Sequence, residues 1–145
     1  MKTAWIRILF LTGLPVLAAL SGALAQKGST IADKDINVVD YVDLSYPPIA
    51  VLAHVQGVVV VRLKLDDQGK VLDAEALSGT PLLTGPSVDN AKKWRFEPNS
   101  QKAAVIVYNF RIEGDCHYSS GSSSQVIFYP PNLAAITACP GPTEP

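Results

Sequence analysis

The chain has 145 residues, with 12 basic and 13 acidic side chains and a formal net charge of −1. That length suits one domain. A near-neutral balance with no basic patch excludes the electrostatic footprint of a nucleic-acid binder.

Met1 to Ala25 has the layout of a secretory signal peptide. Lys2 and Arg7 supply the positive end, Ile8 to Leu20 an apolar core broken by Gly13 and Pro15, and Ala23-Leu24-Ala25 a small-x-small cleavage site. The mature chain is expected to start at Gln26. A membrane-spanning helix needs about 20 apolar residues, and this segment reaches that length only by counting Ser21, Gly22 and the cleavage site. The expected location is therefore periplasmic or secreted, the alternative being an uncleaved N-terminal anchor in the inner membrane. No cysteine follows the apolar core to carry a lipid. Loss of Lys2 and Arg7 leaves ten basic against thirteen acidic residues.

Gln26 to Asp35 reads as a polar lead, and residues 26–45 together as an extended N-terminal arm. Within it, Ile36 to Leu44 has the β-branched content of a short strand, or of an ordered arm lying across the domain. Ser45-Tyr46-Pro47-Pro48 opens a helix, with Ser45 as candidate cap and Ile49, Leu52 and Ala53 as its apolar face. Gln56-Gly57 ends it.

Gly57 to Ser78 predicts two strands and a tight turn. Val59, Val61, Leu63 and Leu65 alternate with Val58, Val60, Arg62 and Lys64, the period of a strand with one buried face. Asp66-Asp67 and Gly69 suit the turn. Ala74 and Ala76 continue the buried face on the return strand, and Asp73 and Glu75 can meet Arg62 and Lys64 across the wet face. Val71 and Ala74 are three apart, which predicts a bulge between them. A second helix is expected from Thr84 through Pro86 to Trp94, with Ser87, Val88, Ala91, Trp94 and Arg95 on one face. The candidate core comprises Val59, Val61, Leu63, Val88, Trp94 and Phe96.

Ala103 to Ile112 predicts a third strand, with Ile106, Tyr108, Phe110 and Ile112 on one face and Val105, Val107, Asn109 and Arg111 on the other. A turn and serine-rich loop follow, then a short strand at Gln125 to Tyr129 cut off by Pro130-Pro131. Leu133 to Ala138 is apolar and could pack or pair again. The order of elements predicts an α+β domain, two helices packed on one face of a three- to four-stranded, mainly antiparallel sheet.

The two cysteines, Cys116 and Cys139, form an even count in an expected oxidising compartment, so a disulfide is the expectation. Closing that loop stabilises a fold by roughly 3 kcal/mol. A metal site with His117 is the rival reading, but only His54 could complete it and no close ligand spacing exists.

These residues resemble the C-terminal domain of the TonB family, a small TonB/TolA C-terminal-like fold. The resemblance is carried by Tyr46-Pro47, Ala50, Gly57-Val58-Val59-Val60, Asp67 and Gly69, Leu77-Ser78-Gly79, Trp94-Arg95-Phe96-Glu97-Pro98 and Phe110-Arg111-Ile112. It places the domain at residues 46–113, with 114–145 as a C-terminal extension. The family resembles a three-part machine of membrane helix, proline-rich spacer and this domain. Here residues 26–45 precede the domain, a reach of at most about 70 Å. Val51 stands where the family often has a basic residue.

The resemblance implies a periplasmic protein-binding module acting in transmembrane transport. Its final strand, here Val105, Ile106, Val107, Tyr108, Asn109, Phe110 and Arg111, would accept an extended peptide of an outer-membrane receptor or other envelope protein by strand addition. Against an open edge stands self-capping: Gln125 to Tyr129 is one loop away and could pair antiparallel with it, since an exposed apolar edge is an aggregation liability. A structural or dimerising domain with edges paired between copies is the alternative function.

For catalysis the sequence offers little. The serines between Ser119 and Ser124 form no Gly-x-Ser-x-Gly elbow. His54 and His117 have no evident carboxylate orienter, and Asp66-Asp67 fits turn chemistry. No phosphate loop, metal motif or cofactor motif is present, so no enzyme activity, metal or cofactor is expected.

Overall fold

The computed structural model describes residues 36–114 and 124–139. The expected leader, Cys116, His117 and most of the serine-rich loop lie outside the described residues. Nine elements follow in chain order: β1 (Val38–Asp40), α1 (Pro48–Leu52), β2 (Gly57–Leu65), β3 (Val71–Ser78), α2 (Pro81–Ala91), β4 (Arg95–Phe96), β5 (Ala103–Ile112), β6 (Ser124–Tyr129) and β7 (Leu133–Ala138).

The period-two run forms β2 and pairs antiparallel with β3, Arg62 opposite Glu75 and Leu63 opposite Ala74. Asp66 builds the turn. Its side chain accepts the amides of Gln68 (2.8 Å) and Lys70 (2.9 Å), and its amide donates to the Lys70 carbonyl. Gly69 takes φ 77°, and its carbonyl receives the Phe96 amide at 3.0 Å, so the turn docks beneath β4. Leu65 pairs with Val71 and Lys64 with Asp73, which leaves Leu72 as the extra residue of a bulge; a second shift leaves Leu77 unpaired between Ala76 and Ser78.

The main sheet has five strands in the order β3-β2-β5-β7-β6, more than the three to four expected. It is mainly antiparallel, as expected, with one parallel pair, β7 against β5. β1 and β4 form a separate two-stranded ladder, so the segment after Ile36 is both a short strand and, from Tyr41 onward, an arm.

Both helices lie on the face carrying Val59, Val61, Tyr108 and Phe110. Tyr46 meets Phe110 edge-on at 5.2 Å and Trp94 meets Tyr108 at 6.0 Å. The helices differ in detail from the sequence expectation. Pro47, not Ser45, caps α1, without a side-chain bond. Ile49 and Leu52 point outward, while Ala50 is fully buried. The orientation is fixed by Tyr46, buried beside α1, whose hydroxyl donates to the Val55 carbonyl at 2.7 Å. α2 begins at Pro81 and ends at Ala91, three residues earlier at each end than expected. Pro81 has the φ suited to a first helical turn, and Pro86 is accommodated inside the helix. Val88 is only half-buried, whereas Ser87, Ala91, Trp94 and Phe96 are buried.

Asn90 ties these layers together. Its side-chain oxygen accepts Trp94 Nε1–H and the Tyr108 hydroxyl, both at 2.9 Å. Its amide donates to the carbonyl of Val42 at 2.9 Å. One buried amide thus joins α2, the indole, β5 and the arm. Burial pushes the Tyr108 phenol far above the ordinary tyrosine range.

Candidate functional site

The strand expected to offer an open edge, Val105 to Arg111, lies inside the sheet. On one side β5 pairs antiparallel with β2, Val107 opposite Val60. On the other it pairs in parallel with β7, from Val107 opposite Leu133 to Ile112 opposite Ala138. The Val107 amide donates to Asn132 and the Glu113 amide to Ala138. The partner-edge assignment to Val105, Ile106, Val107, Tyr108, Asn109, Phe110 and Arg111 is therefore corrected for Val107 to Phe110, which are paired on both sides, and for Arg111, which is paired with β7; Val105 and Ile106 pair with β2 and precede the β7 register, which starts at Val107. The covering strand also differs from the expectation: Gln125 to Tyr129 pairs with β7, antiparallel, and not with β5.

This arrangement moves the sheet's edges to β3 and β6. The two differ in chemistry. β3 carries Asp73 and Glu75 and two register breaks, devices that discourage pairing with another chain. β6 reads Ser-Gln-Val-Ile-Phe-Tyr, with no charge and no proline, in unbroken register with β7. Ile127 and Tyr129 are exposed, while Phe128 leans on Trp94 at 5.5 Å and Tyr41 at 5.0 Å.

The remaining candidates are occupied by structural work. Asp66 is held below the usual carboxylate range, chiefly by the Lys70 amide. Asp67 pairs with Lys102 at 2.6 Å. His54 is exposed in a left-handed conformation after α1. A shallow depression of about 730 Å³ beside the hairpin is lined by Arg62, Lys64, Leu72, Asp73, Glu75 and Lys102. Its charges are of both signs, and Arg62 pairs with Glu75 at 2.8 Å. Among the described residues no cluster of three or more metal-ligating side chains occurs. Cys139 follows β7 and is not a free thiol; its expected partner, Cys116, lies outside the described residues.

Sequence reading missed Asn90 and the role of β7. The first had a signal, since Asn90 and Trp94 are one helical turn apart. The second had only the weak alternation of Ala134, Ile136 and Ala138.

Fold and strand order together define a small α+β domain with two helices on one face of a five-stranded sheet. Residues 42–113 match the family described as Gram-negative bacterial TonB protein C-terminal, and this segment of the chain belongs to the TonB C-terminal domain family. No curated protein and no solved structure matches the chain. The family is a periplasmic, non-enzymatic protein-interaction domain whose members contact outer-membrane receptors. Among the described residues no helix is long and apolar enough to cross a membrane. The matched segment ends at Glu113, so β6 and β7 both lie beyond it.

Proposed function

We propose that this chain is a non-enzymatic periplasmic binding module that takes an extended peptide of an outer-membrane receptor or other envelope protein onto the outer edge of β6. The observation that carries this reading is the contrast between the two sheet edges: β6 is uncharged and in unbroken register, whereas β3 is charged and twice bulged. Main-chain bonds to β6 supply affinity and the alternate side chains supply selectivity. A leader cleaved after Ala25 and a Cys116–Cys139 bond holding the end of β7 belong to the same proposal. A six-residue edge buries little area, which suits a transient contact.

The test is a titration of the exported chain with receptor-derived extended peptides, read by backbone amide shifts. Saturable shifts along Ser124 to Tyr129 support the reading. Shifts along Val105 to Arg111 with loss of the β7 pairing move the site to β5, and absence of any binding removes the function.

A second reading is a self-capped structural domain with no energy-transducing role. The parallel docking of β7 onto β5 favours it. It requires that no envelope protein crosslinks to the chain in intact cells.

A further inference from the structure

The core is closed at the β6 end by the arm rather than by a helix. α2 packs over β2 and β3, whereas the arm passes over β6 on the same covered face. The Tyr41 ring lies 5.0 Å from that of Phe128 and 5.6 Å from that of Trp94. Further along, the Tyr46 amide donates to the Ser124 hydroxyl at 3.4 Å. The arm therefore runs opposite in direction to β6, from Phe128 back to Ser124. Between these points the Asn90 amide holds it by the Val42 and Asp43 carbonyls. The side chains that β6 and β7 turn toward the core are Ser124, Val126, Phe128, Ala134, Ile136 and Ala138. Phe128 is the largest of them, and it is the one that Tyr41 covers. Tyr41 and β6 lie just outside the matched family segment, at its opposite ends. The two parts of the chain that flank that segment thus close on each other.

We propose that the arm is a strap that controls the β6 edge. Docked through Tyr41, it keeps β6 extended and in register with β7. Released, it uncovers Phe128, and β6 opens from the sheet more often. Tyr41 and Val42 are 42% and 40% exposed, so undocking gives up little buried surface and belongs to the local openings of a native protein. An aromatic contact of this kind shifts such an opening by about two- to tenfold. A strand adds only to an edge that holds its extended form, so strap docking and peptide binding favour each other, and the coupling is reciprocal. That regulatory consequence rests on strand addition at β6; the strap itself does not.

Hydrogen exchange on the exported chain without peptide tests the strap. The amides to follow are Ile127 and Ala135, opposite each other in the β6–β7 ladder, against the interior amides of β2. Tyr41→Ala is expected to speed exchange at Ile127 and Ala135 by about fivefold and to leave β2 unchanged. Tyr41→Phe keeps the ring and the wild-type rates, and Val39→Ala, at a position 64% exposed in β1, changes neither set. A double-mutant cycle with Phe128→Leu gives a coupling of similar size. Unchanged exchange at Ile127 and Ala135 overturns the proposal. So does equal acceleration in β2, which makes Tyr41 an ordinary core contact, or strict additivity with Phe128→Leu. The receptor-derived peptides of the titration above then separate the strap from the site. Affinity weakened by the same factor in Tyr41→Ala supports the regulation, and equal affinity for both proteins removes it. If no peptide binds the wild type while β6 exchange responds to Tyr41→Ala, strand addition fails and the strap stands.

Discussion

Replacing Asn90 by alanine removes the one acceptor shared by Trp94 Nε1–H and the Tyr108 hydroxyl. Both donors sit in side chains with at most 1% exposure, so water cannot take over without opening the core. Each buried donor left without a partner costs about 1–3 kcal/mol. The tether to the Val42 and Asp43 carbonyls goes too, but those carbonyls belong to exposed residues and resolvate. A total near 3 kcal/mol is expected, a large part of the roughly 5–15 kcal/mol that stabilises a domain. For a domain of this size it lowers the melting temperature by roughly 10–20 °C. Equilibrium urea unfolding measures the loss directly. A double-mutant cycle with Tyr108→Phe isolates the mechanism: once Asn90 is gone, deleting the orphaned hydroxyl costs nothing or recovers stability, giving a coupling of about 1 kcal/mol. A loss under about 1 kcal/mol, or strict additivity with Tyr108→Phe, refutes the shared-acceptor argument.

Gly69→Ala is expected to cost about 3 kcal/mol or more, since the residue sits at φ 77° and a Cβ there collides with the Phe96 carbonyl oxygen; denaturant unfolding reads it. Native-state hydrogen exchange should find the Val107 and Glu113 amides, which donate to Asn132 and Ala138, as slow as the interior amides of β2; fast exchange at both would mean that β7 does not hold β5. The Tyr108 phenol is raised by burial, so its folded pKa exceeds its unfolded one. The associated stability is complete below pH about 10 and is lost as pH rises above it, by up to about 1.4 kcal/mol per pH unit. Alkaline unfolding of wild type against Tyr108→Phe should show this difference. Arg62→Ala should change stability by less than about 1 kcal/mol, because both partners of its ion pair with Glu75 are more than half exposed.

The hairpin was legible because a period of two needs no tertiary information and its turn is built from local Asp66 chemistry. The spacing of Val71 and Ala74 even located a bulge. α1 was misoriented for the converse reason. A helix of five residues has too few turns for spacing to define a face, and Tyr46 outside it decides which side is buried. The start of α2 was missed because Pro81 and Pro86 both fit a first turn, and nothing local ranks them. β7 was only half-legible. Leu-Ala-Ala-Ile-Thr-Ala is poor in the residues that favour strands, and it pairs because β5 offers a ready ladder, a tertiary effect that overrides propensity.

Why β7 rather than β6 takes the inner position follows from side-chain size. Along the covered face the cross-strand row runs Val59, Tyr108, Ala134, Phe128, so a methyl group sits between two aromatic rings. Phe128 at the rim then reaches Trp94 and Tyr41, closing the core beside the arm. With β6 inside, Phe128 would stand directly against Tyr108, and alanine would be left at the rim with the indole uncovered. Strand order is thus set by the need to alternate large and small across the sheet, and parallel pairing is its topological consequence, since β6 and β7 are joined by a tight turn at Pro130 to Asn132. The same logic explains the position of the available edge. The extension that fills the core with Ala134 and Ile136 must carry its apolar, uncharged partner strand to the rim of the sheet, the edge to which the proposed strand addition is assigned.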